Sequence, residues 1–156
     1  LNDALGIVAG EEVMDAAAGG TIGGTYIGSP LSCVASSATI KYMKDINLNE
    51  RANEVGKIIM DRLDILRKKL PEIGDVRGVG AMIGIEFVHD NDPRKPNGEL
   101  CDHIVKDCAN QGLIVLSAGT FKNIIRILSP LVITNEQLDQ GLTILENAIF
   151  KAIRTV

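Results

Sequence analysis

The spacing of the apolar residues changes near residue 71, and this change constrains the fold more than any other feature of the sequence. Before it, apolar residues recur at steps of three and four, which places them on one stripe of a long amphipathic helix. These residues are Val55, Ile58, Ile59, Leu63, Leu66 and Leu70, and Pro71 lies just beyond the expected end of the helix. From Gly74 to Phe87 a glycine-punctuated apolar stretch predicts a strand, a turn and a second strand.

Capping residues mark two further helix starts. Ser29 can accept a hydrogen bond from the free amides of a helix start, and Pro30 suits the first helical position. We therefore predict a helix from Pro30 to about Asp45. Thr134 and Gln137 form a capping box before a regular apolar pattern, which predicts the last helix of the chain.

The other segments complete an α+β pattern. Residues 1–28 are expected to form a strand, a short helical turn and a glycine loop, whereas residues 89–98 are expected to form a surface loop. A third helix is expected around Leu100–Cys108, and two short strands at Leu113–Ser117 and Ile124–Leu128. The order helix, β-β, helix, β-β, helix predicts an α+β module that follows an incomplete front end.

Composition excludes several classes of function. The 156 residues carry 16 basic and 20 acidic side chains, for a net charge of −4 and a pI near 5.2. Such a chain has no global attraction to nucleic acid or to an anionic membrane surface. No apolar run reaches membrane-spanning length. We therefore expect a soluble, folded protein with no nucleic-acid partner and no membrane partner.

The cysteines indicate a reducing compartment. Cys33, Cys101 and Cys108 are odd in number, have unrelated spacings and form no CxxC pair, and only two histidines accompany them. These features argue against a metal site and against a disulfide framework, so reduced thiols and a cytoplasmic location are expected. The chain begins without methionine, so it is either processed or part of something longer.

Two features are candidate binding groups. Glycines at positions 19–24 would let the backbone approach an anion closely, and the Thr25 hydroxyl could join backbone amides on the same phosphate; a turn between two elements explains the loop equally well. Arg126 interrupts an apolar strand, so it either faces inward and needs a carboxylate, from the protein or from a substrate, or it points to solvent.

The remaining polar residues suggest structural roles. Arg77 and Glu86 lie in the predicted strand pair, where an edge strand or an internal ion pair would explain them. His89 and His103 are expected at the surface, because neither has a Ser, Cys or carboxylate partner at an informative spacing. No catalytic nucleophile or general base can be nominated from this chain.

Several segments in register resemble the class III aminotransferases, which are fold-type I enzymes dependent on pyridoxal 5'-phosphate (PLP). These are GGTYIGSP from Gly23, DVRGVGAMIGIEF from Asp75, GLIVLS from Gly112 and NIIRILSPL from Asn123. The resemblance is greatest to members that act on 4-aminobutyrate. The sequence departs from the family pattern at Ser29, where asparagine is usual, and at Ala118 and Phe121-Lys122, which leaves the amine substrate open.

The resemblance implies an α/β fold of which this chain is the C-terminal part. Residues 1–33 would end the large PLP-binding domain, residues 34–70 would be bridging helices, and residues 71–156 would form the small α+β domain. The lysine that binds the cofactor covalently would precede this chain, so the chain alone is expected to be inactive. Gly24 and Thr25 would contact the cofactor phosphate of the neighbouring subunit, which implies a homodimer with shared active sites.

The implied reaction moves an amino group from 4-aminobutyrate to 2-oxoglutarate, with Arg126 holding a substrate carboxylate. Its small-molecule partners are therefore amino acids and 2-oxo acids. Other class III substrates, namely ornithine, acetylornithine, 5-aminovalerate or diamines, remain open. An interpretation of a different class treats residues 71–156 as a non-catalytic ligand-binding or dimerisation domain.

Overall fold

A computed structural model describes residues 10–155 apart from 22, 26 and 27. The chain divides into two units, Leu1–Leu48 and Asn49–Val156. In the first unit the short helix α1 (Glu11–Asp15) precedes the glycine loop, and helix α2 spans Pro30–Asp45, as predicted. The strand expected before α1 lies outside the described residues.

Helix α2 begins at the proposed cap but without the expected side-chain bond. Ser29 occupies the N-cap position with φ −54° and ψ 123°, and its hydroxyl makes no capping hydrogen bond. The first helical bond instead runs from the Cys33 N–H to the Ser29 carbonyl, at 3.0 Å. No described side chain of α2 is buried, and Leu31 is 84% exposed.

Within the described residues, the second unit contains three helices and a four-stranded antiparallel sheet. Its elements are α3 (Leu48–Arg67), β1 (Ile73–Val79), β2 (Met82–Phe87), α4 (Gly98–Asn110), β3 (Leu116–Ala118), β4 (Ile124–Leu128) and α5 (Asn135–Thr155). The strand order is β1-β2-β4-β3. This mixed helix and sheet arrangement confirms the expected fold class. Strand β3 is shorter than predicted, because it begins at Leu116 and not at Leu113.

One face of the sheet packs against the helices. The buried cluster unites the apolar stripe of α3 with residues of α4, α5 and the inner face of the sheet, including Ile59, Leu63, Ile83, Ile85, Phe87, Ile104, Ile125, Leu142, Leu145 and Ile149. Arg62 ties α3 to α5, because its guanidinium lies 2.5 Å from Glu146 Oε2 and 2.7 Å from Asp139 Oδ1. The predicted helical stripe therefore belongs to the core of the second unit. The division of the whole protein at residues 33 and 70 stays a prediction.

Two of the three thiols are part of this core. Cys101 and Cys108 are buried on α4, whereas Cys33 is exposed on α2. Burial, together with the nearby carboxylates of Asp102 and Asp107, raises the pKa of Cys101 to about 12 and that of Cys108 to about 11. Both buried thiols therefore stay protonated at neutral pH. Within the described part of the chain, no group of His, Cys, Asp and Glu could hold a metal ion, and no helix is long and apolar enough to cross a membrane.

The capping box before α5 forms as predicted. The Gln137 N–H donates to Thr134 Oγ1 at 3.2 Å, and the Thr134 N–H donates to Gln137 Oε1 at 3.1 Å. We expect Thr134→Ala to lower the free energy of unfolding by about 1 kcal/mol, because one amide of the helix start loses its acceptor. Urea unfolding of the chain measures the change. Thr134→Ser keeps the hydroxyl and should match the parent, so equal losses in both variants would contradict the capping role.

Candidate functional site

Arg126 lies in the middle of β4, an interior strand of the sheet. Its neighbours Ile125 and Ile127 contribute to the core, so strand alternation turns Arg126 to the opposite, open face, where it is exposed. Of the two orientations that the sequence allowed, the structure therefore shows the outward one. No carboxylate of the described residues forms a salt bridge with Arg126.

A row of residues crosses the sheet at Arg126. Gly84 of β2 lies beside Arg126 on one side, and Leu116 of β3 lies beside it on the other. Arg77 of β1 lies beside Gly84. The two arginines are therefore two strand spacings apart, about 10 Å between Cα atoms, with only a glycine between them.

Gly84 keeps this part of the sheet face open. A Cβ built there would lie 3.3 Å from Ile124 Cγ2, a tight contact. A cavity of about 510 Å³ lies over the row, and its lining includes both arginines, Gly84 and the side chains of Val79, Met82 and Ile124. The site therefore has two features. Arg126 has no salt-bridge partner among the described residues, and the side chains around it form an apolar surface. This combination suits a small molecule that has an anionic end and an aliphatic chain.

Arg77 differs from Arg126 because protein carboxylates already neutralise it. Its Nη1 lies 2.6 Å from Glu86 Oε2 and 3.0 Å from Asp75 Oδ2, and Arg67 binds the other oxygen of Asp75 at 3.1 Å. The hydrogen bonds that Arg77 donates to Glu86 and to Asp75, of which the bond to Glu86 has the larger effect, raise the pKa of Arg77. Of the two structural explanations that the sequence suggested, the ion pair is found, because Arg77 pairs with Glu86. The edge-strand explanation holds for Arg77 on β1 but not for Glu86, because β2 is an interior strand.

The second candidate site, in the first unit, is the glycine loop. Gly23, Gly24 and Thr25 are exposed, and a Cβ at Gly23 would meet no atom within 4 Å. Gly28 has φ +70°, a left-handed conformation that favours glycine where the chain turns into α2. The loop therefore offers open backbone and a threonine to an incoming anion. Its neighbours at 26 and 27 lie outside the described residues.

Neither the histidines nor the described lysines line the cavity over the arginine row. His89 is exposed and its Nδ1 lies 3.3 Å from Asn97 Nδ2, and His103 is exposed on α4. Sequence reasoning named Arg77, Glu86 and Arg126 but missed their common face and the role of Gly84. The strand-turn-strand pattern could have placed Arg77 beside Gly84, whereas nothing local places β4 beside β2.

Comparison with known proteins identifies the family. Residues 4–149 match the family model described as aminotransferase class-III. The chain is 45% identical to the 4-aminobutyrate aminotransferase GabT of Escherichia coli (strain K12), over 94% of this chain and 34% of that protein. It is 44% identical to the 5-aminovalerate aminotransferase DavT of Pseudomonas aeruginosa, over 90% of this chain and 33% of that protein.

Solved structures agree with this match. The acetylornithine aminotransferase from Elizabethkingia anophelis superposes with a TM-score of 0.73 and 31% identity, over 92% of this chain and 36% of that one. The chain thus spans about a third of the length of the proteins it matches. Class III aminotransferases depend on PLP. From the family match, the shared sequence motifs and the fold, we conclude that this chain belongs to the class III aminotransferase family.

Proposed function

We propose that the whole protein carrying this chain is a PLP-dependent transaminase that moves the amino group of 4-aminobutyrate to 2-oxoglutarate. The observation that carries the proposal is Arg126, an exposed guanidinium that has no carboxylate partner among the described residues and lines an open, largely apolar cavity. The 45% identity to a 4-aminobutyrate aminotransferase supports the choice of substrate. We also propose a cytoplasmic location, supported by the unpaired thiols of Cys101 and Cys108.

The glycine loop fits the phosphate group of PLP. Its exposed backbone has no side chain at Gly23 or Gly24, and Thr25 adds a hydroxyl, so the donor set is of the kind that holds phosphate oxygens. We propose that Gly24 and Thr25 bind this phosphate from the neighbouring subunit, as the family resemblance implies. The active protein is then a homodimer with shared sites. When bound, PLP supplies an electron sink through which amino groups are exchanged between substrates.

Arg126 is the group that binds and orients the substrate. A guanidinium can hold a carboxylate through two parallel N–H···O bonds, and this geometry fixes the direction of the aliphatic chain that follows. Val79, Met82 and Ile124 offer that chain an apolar surface. Holding one end of the substrate in this way raises the rate because it keeps the reacting end in one orientation.

This chain supplies binding groups, and its cavity offers no described group for proton transfer. Among the residues that the structure describes, the lining contains two arginines and no lysine, histidine or acidic side chain. We therefore propose that the 156-residue chain alone does not catalyse transamination. Addition of 4-aminobutyrate, 2-oxoglutarate and PLP to the isolated chain should yield no glutamate, whereas the full-length protein should yield it.

A second substrate is favoured by a specific observation. The chain is nearly as similar to a 5-aminovalerate aminotransferase, at 44% identity, as to the 4-aminobutyrate enzyme. The two substrates differ by one methylene, and a hydrophobic surface discriminates one methylene by only about 10- to 200-fold. Ornithine and acetylornithine are the other candidates, the latter supported by a solved neighbour with a TM-score of 0.73.

The test is the absorption spectrum of the full-length protein with PLP bound. Adding 4-aminobutyrate should bleach the long-wavelength cofactor band, and 2-oxoglutarate should restore it. Preferential bleaching by 5-aminovalerate, ornithine or acetylornithine would keep the family and change the substrate. A full-length protein that binds no PLP would refute the proposal and favour a ligand-binding module.

Replacement of Thr25 tests the phosphate site. We expect Thr25→Val in the full-length protein to weaken PLP binding by about 10- to 100-fold, because a hydrogen bond to a charged group contributes about 1.5–3 kcal/mol. Thr25→Ser keeps the hydroxyl and is the matched control. Cofactor dissociation is measured by the loss of the absorption band on dilution. If the valine and serine variants release PLP at the same rate, Thr25 does not hold the phosphate.

A further inference from the structure

The strand that carries Arg126 begins next to a buried asparagine. Asn123 comes directly before β4, three residues from Arg126, and it is 3% exposed. A buried amide needs hydrogen-bond partners, because burying it without them costs free energy. The partners of Asn123 Nδ2 lie at the end of β2. The side chain therefore connects the two interior strands of the sheet.

Phe87 is the main partner of Asn123. Asn123 Nδ2 donates to the Phe87 carbonyl at 2.9 Å, and the Phe87 N–H donates to the Asn123 carbonyl at 2.8 Å. The side chain and the backbone of Asn123 thus bind the same residue of β2. Nδ2 also lies 3.5 Å from Glu86 Oε1, a longer contact. Because Phe87 is fully buried, Asn123 ties the start of β4 to a closely packed part of the core.

The loop before Asn123 is in close contact with α4. A Cβ at Gly98, the first residue of α4, would lie 2.6 Å from the Phe121 carbonyl oxygen. The Asn97 N–H, one residue before the helix, donates to the Phe87 carbonyl at 3.0 Å. That carbonyl therefore accepts from both Asn97 and Asn123, which uses both of its lone pairs. The start of α4, the end of β2 and the start of β4 meet at this one oxygen.

The position of Arg126 depends on where β4 starts. The residues between Asn123 and Arg126 pair with β2, and the strand rise of about 3.3 Å per residue places the two α-carbons about 10 Å apart. Loss of the Asn123 side-chain bonds would not slip the register, because a slip would move Ile125 out of the core. It would release the strand start and let Arg126 shift within its row. A misplacement of about 1 Å can cost about 10²-fold in rate.

We propose that Asn123 is a positioning residue that sets where the Arg126 guanidinium meets a substrate carboxylate. This inference rests on the proposed function, because it assumes that Arg126 binds a substrate carboxylate at one step of the reaction. It holds whether or not Arg126 pairs with a protein carboxylate at other steps. Asn123 is buried, so it acts through β4.

The experiment is a double-mutant cycle on the full-length, PLP-bound protein: the parent, Asn123→Leu, Arg126→Met and the double variant. Leucine has a similar size and no donor, and the Phe87 carbonyl keeps its bond from the Asn97 N–H. The readouts are kcat/KM for 4-aminobutyrate, for 2-oxoglutarate and for butylamine, which lacks a carboxylate. The acid that Arg126→Met weakens more is the one whose carboxylate Arg126 binds.

We expect Asn123→Leu to lower kcat/KM for that acid about tenfold and for butylamine by less than about twofold. In the Arg126→Met background, Asn123→Leu should change kcat/KM by less than about twofold, because no guanidinium is left to misplace. Thr134→Ala is the control for a loss of stability alone, since it weakens the cap of α5. It should leave the ratio of kcat/KM between the acid and butylamine unchanged.

The cycle separates positioning from a merely structural role. An equal loss for the acid and for butylamine, or a loss that persists in the Arg126→Met background, would overturn the inference. If Asn123→Leu does not fold, Asn123→Ala removes the same donor and gives the same comparison.

Failure of this inference is distinguishable from failure of the proposed function. If Arg126→Met weakens neither 4-aminobutyrate nor 2-oxoglutarate, the carboxylate assignment itself is wrong. If Arg126→Met weakens one of them and Asn123→Leu does not, only the positioning role is wrong.

Discussion

Arg126→Met in the full-length protein should lower kcat/KM for 4-aminobutyrate by about 10²- to 10⁴-fold. A bidentate guanidinium–carboxylate contact comprises two hydrogen bonds to a charged group, each contributing about 1.5–3 kcal/mol, and each 1.4 kcal/mol is a factor of about ten. Methionine keeps much of the unbranched stem, so the variant removes the charge with little change to the apolar surface. Steady-state rates with purified protein measure the loss.

Selectivity is the decisive readout for this variant. Butylamine has no carboxylate, so its rate should change by less than about threefold. Arg126→Lys keeps the charge but not the two-pronged geometry, and it should fall between the parent and the methionine variant. Arg94→Met is the matched control, since Arg94 is exposed and pairs with Asp92 in the loop before α4. Equal losses for 4-aminobutyrate and butylamine would contradict the carboxylate role.

The elements of the fold were predictable where local chemistry specifies them. Pro30 marked the start of α2, and Thr134 with Gln137 marked the start of α5, because cap and first-turn residues act on amides next to them in sequence. The β1–β2 pair was readable from its glycines and its apolar spacing. Strand β3 was less predictable, because only three of its residues pair with β4 and their pattern resembles a loop.

The candidate site depends on pairing that no local pattern contains. Arg77 and Arg126 share one row only because β4 inserts between β2 and β3 in the sheet. The alternation of side chains along a strand shows that Arg126 and Ile125 lie on opposite faces of the sheet, but it does not show which strand pairs with β4. For the same reason the sequence could suggest an ion pair for Glu86 without showing that Glu86 and Arg126 lie on the same face of the sheet.

Replacing each of two helical glycines by alanine should change the free energy of unfolding in opposite directions. A Cβ at Gly56 of α3 would clash with the carbonyl oxygen of Gly80, in the turn between β1 and β2, and would lie 2.5 Å from its carbonyl carbon. Both contacts are with backbone, so no side-chain rotation can relieve them. Gly80 has φ +53°, a left-handed conformation that glycine adopts readily. Gly56→Ala should therefore separate α3 from the strand pair.

We expect Gly56→Ala to lower the free energy of unfolding by about 3 kcal/mol or more, at the upper end of overpacking costs, even though alanine favours a helix by about 1 kcal/mol. Gly141→Ala on α5 is the control, because its Cβ would make an ordinary contact of 3.5 Å with Leu113 Cδ1. That variant should be up to about 1 kcal/mol more stable than the parent. Urea unfolding followed by circular dichroism measures both. A Gly56→Ala protein as stable as the parent would show that α3 does not approach the turn this closely. In that case α3 would not support the backbone of the strand pair that carries Arg77 and Glu86.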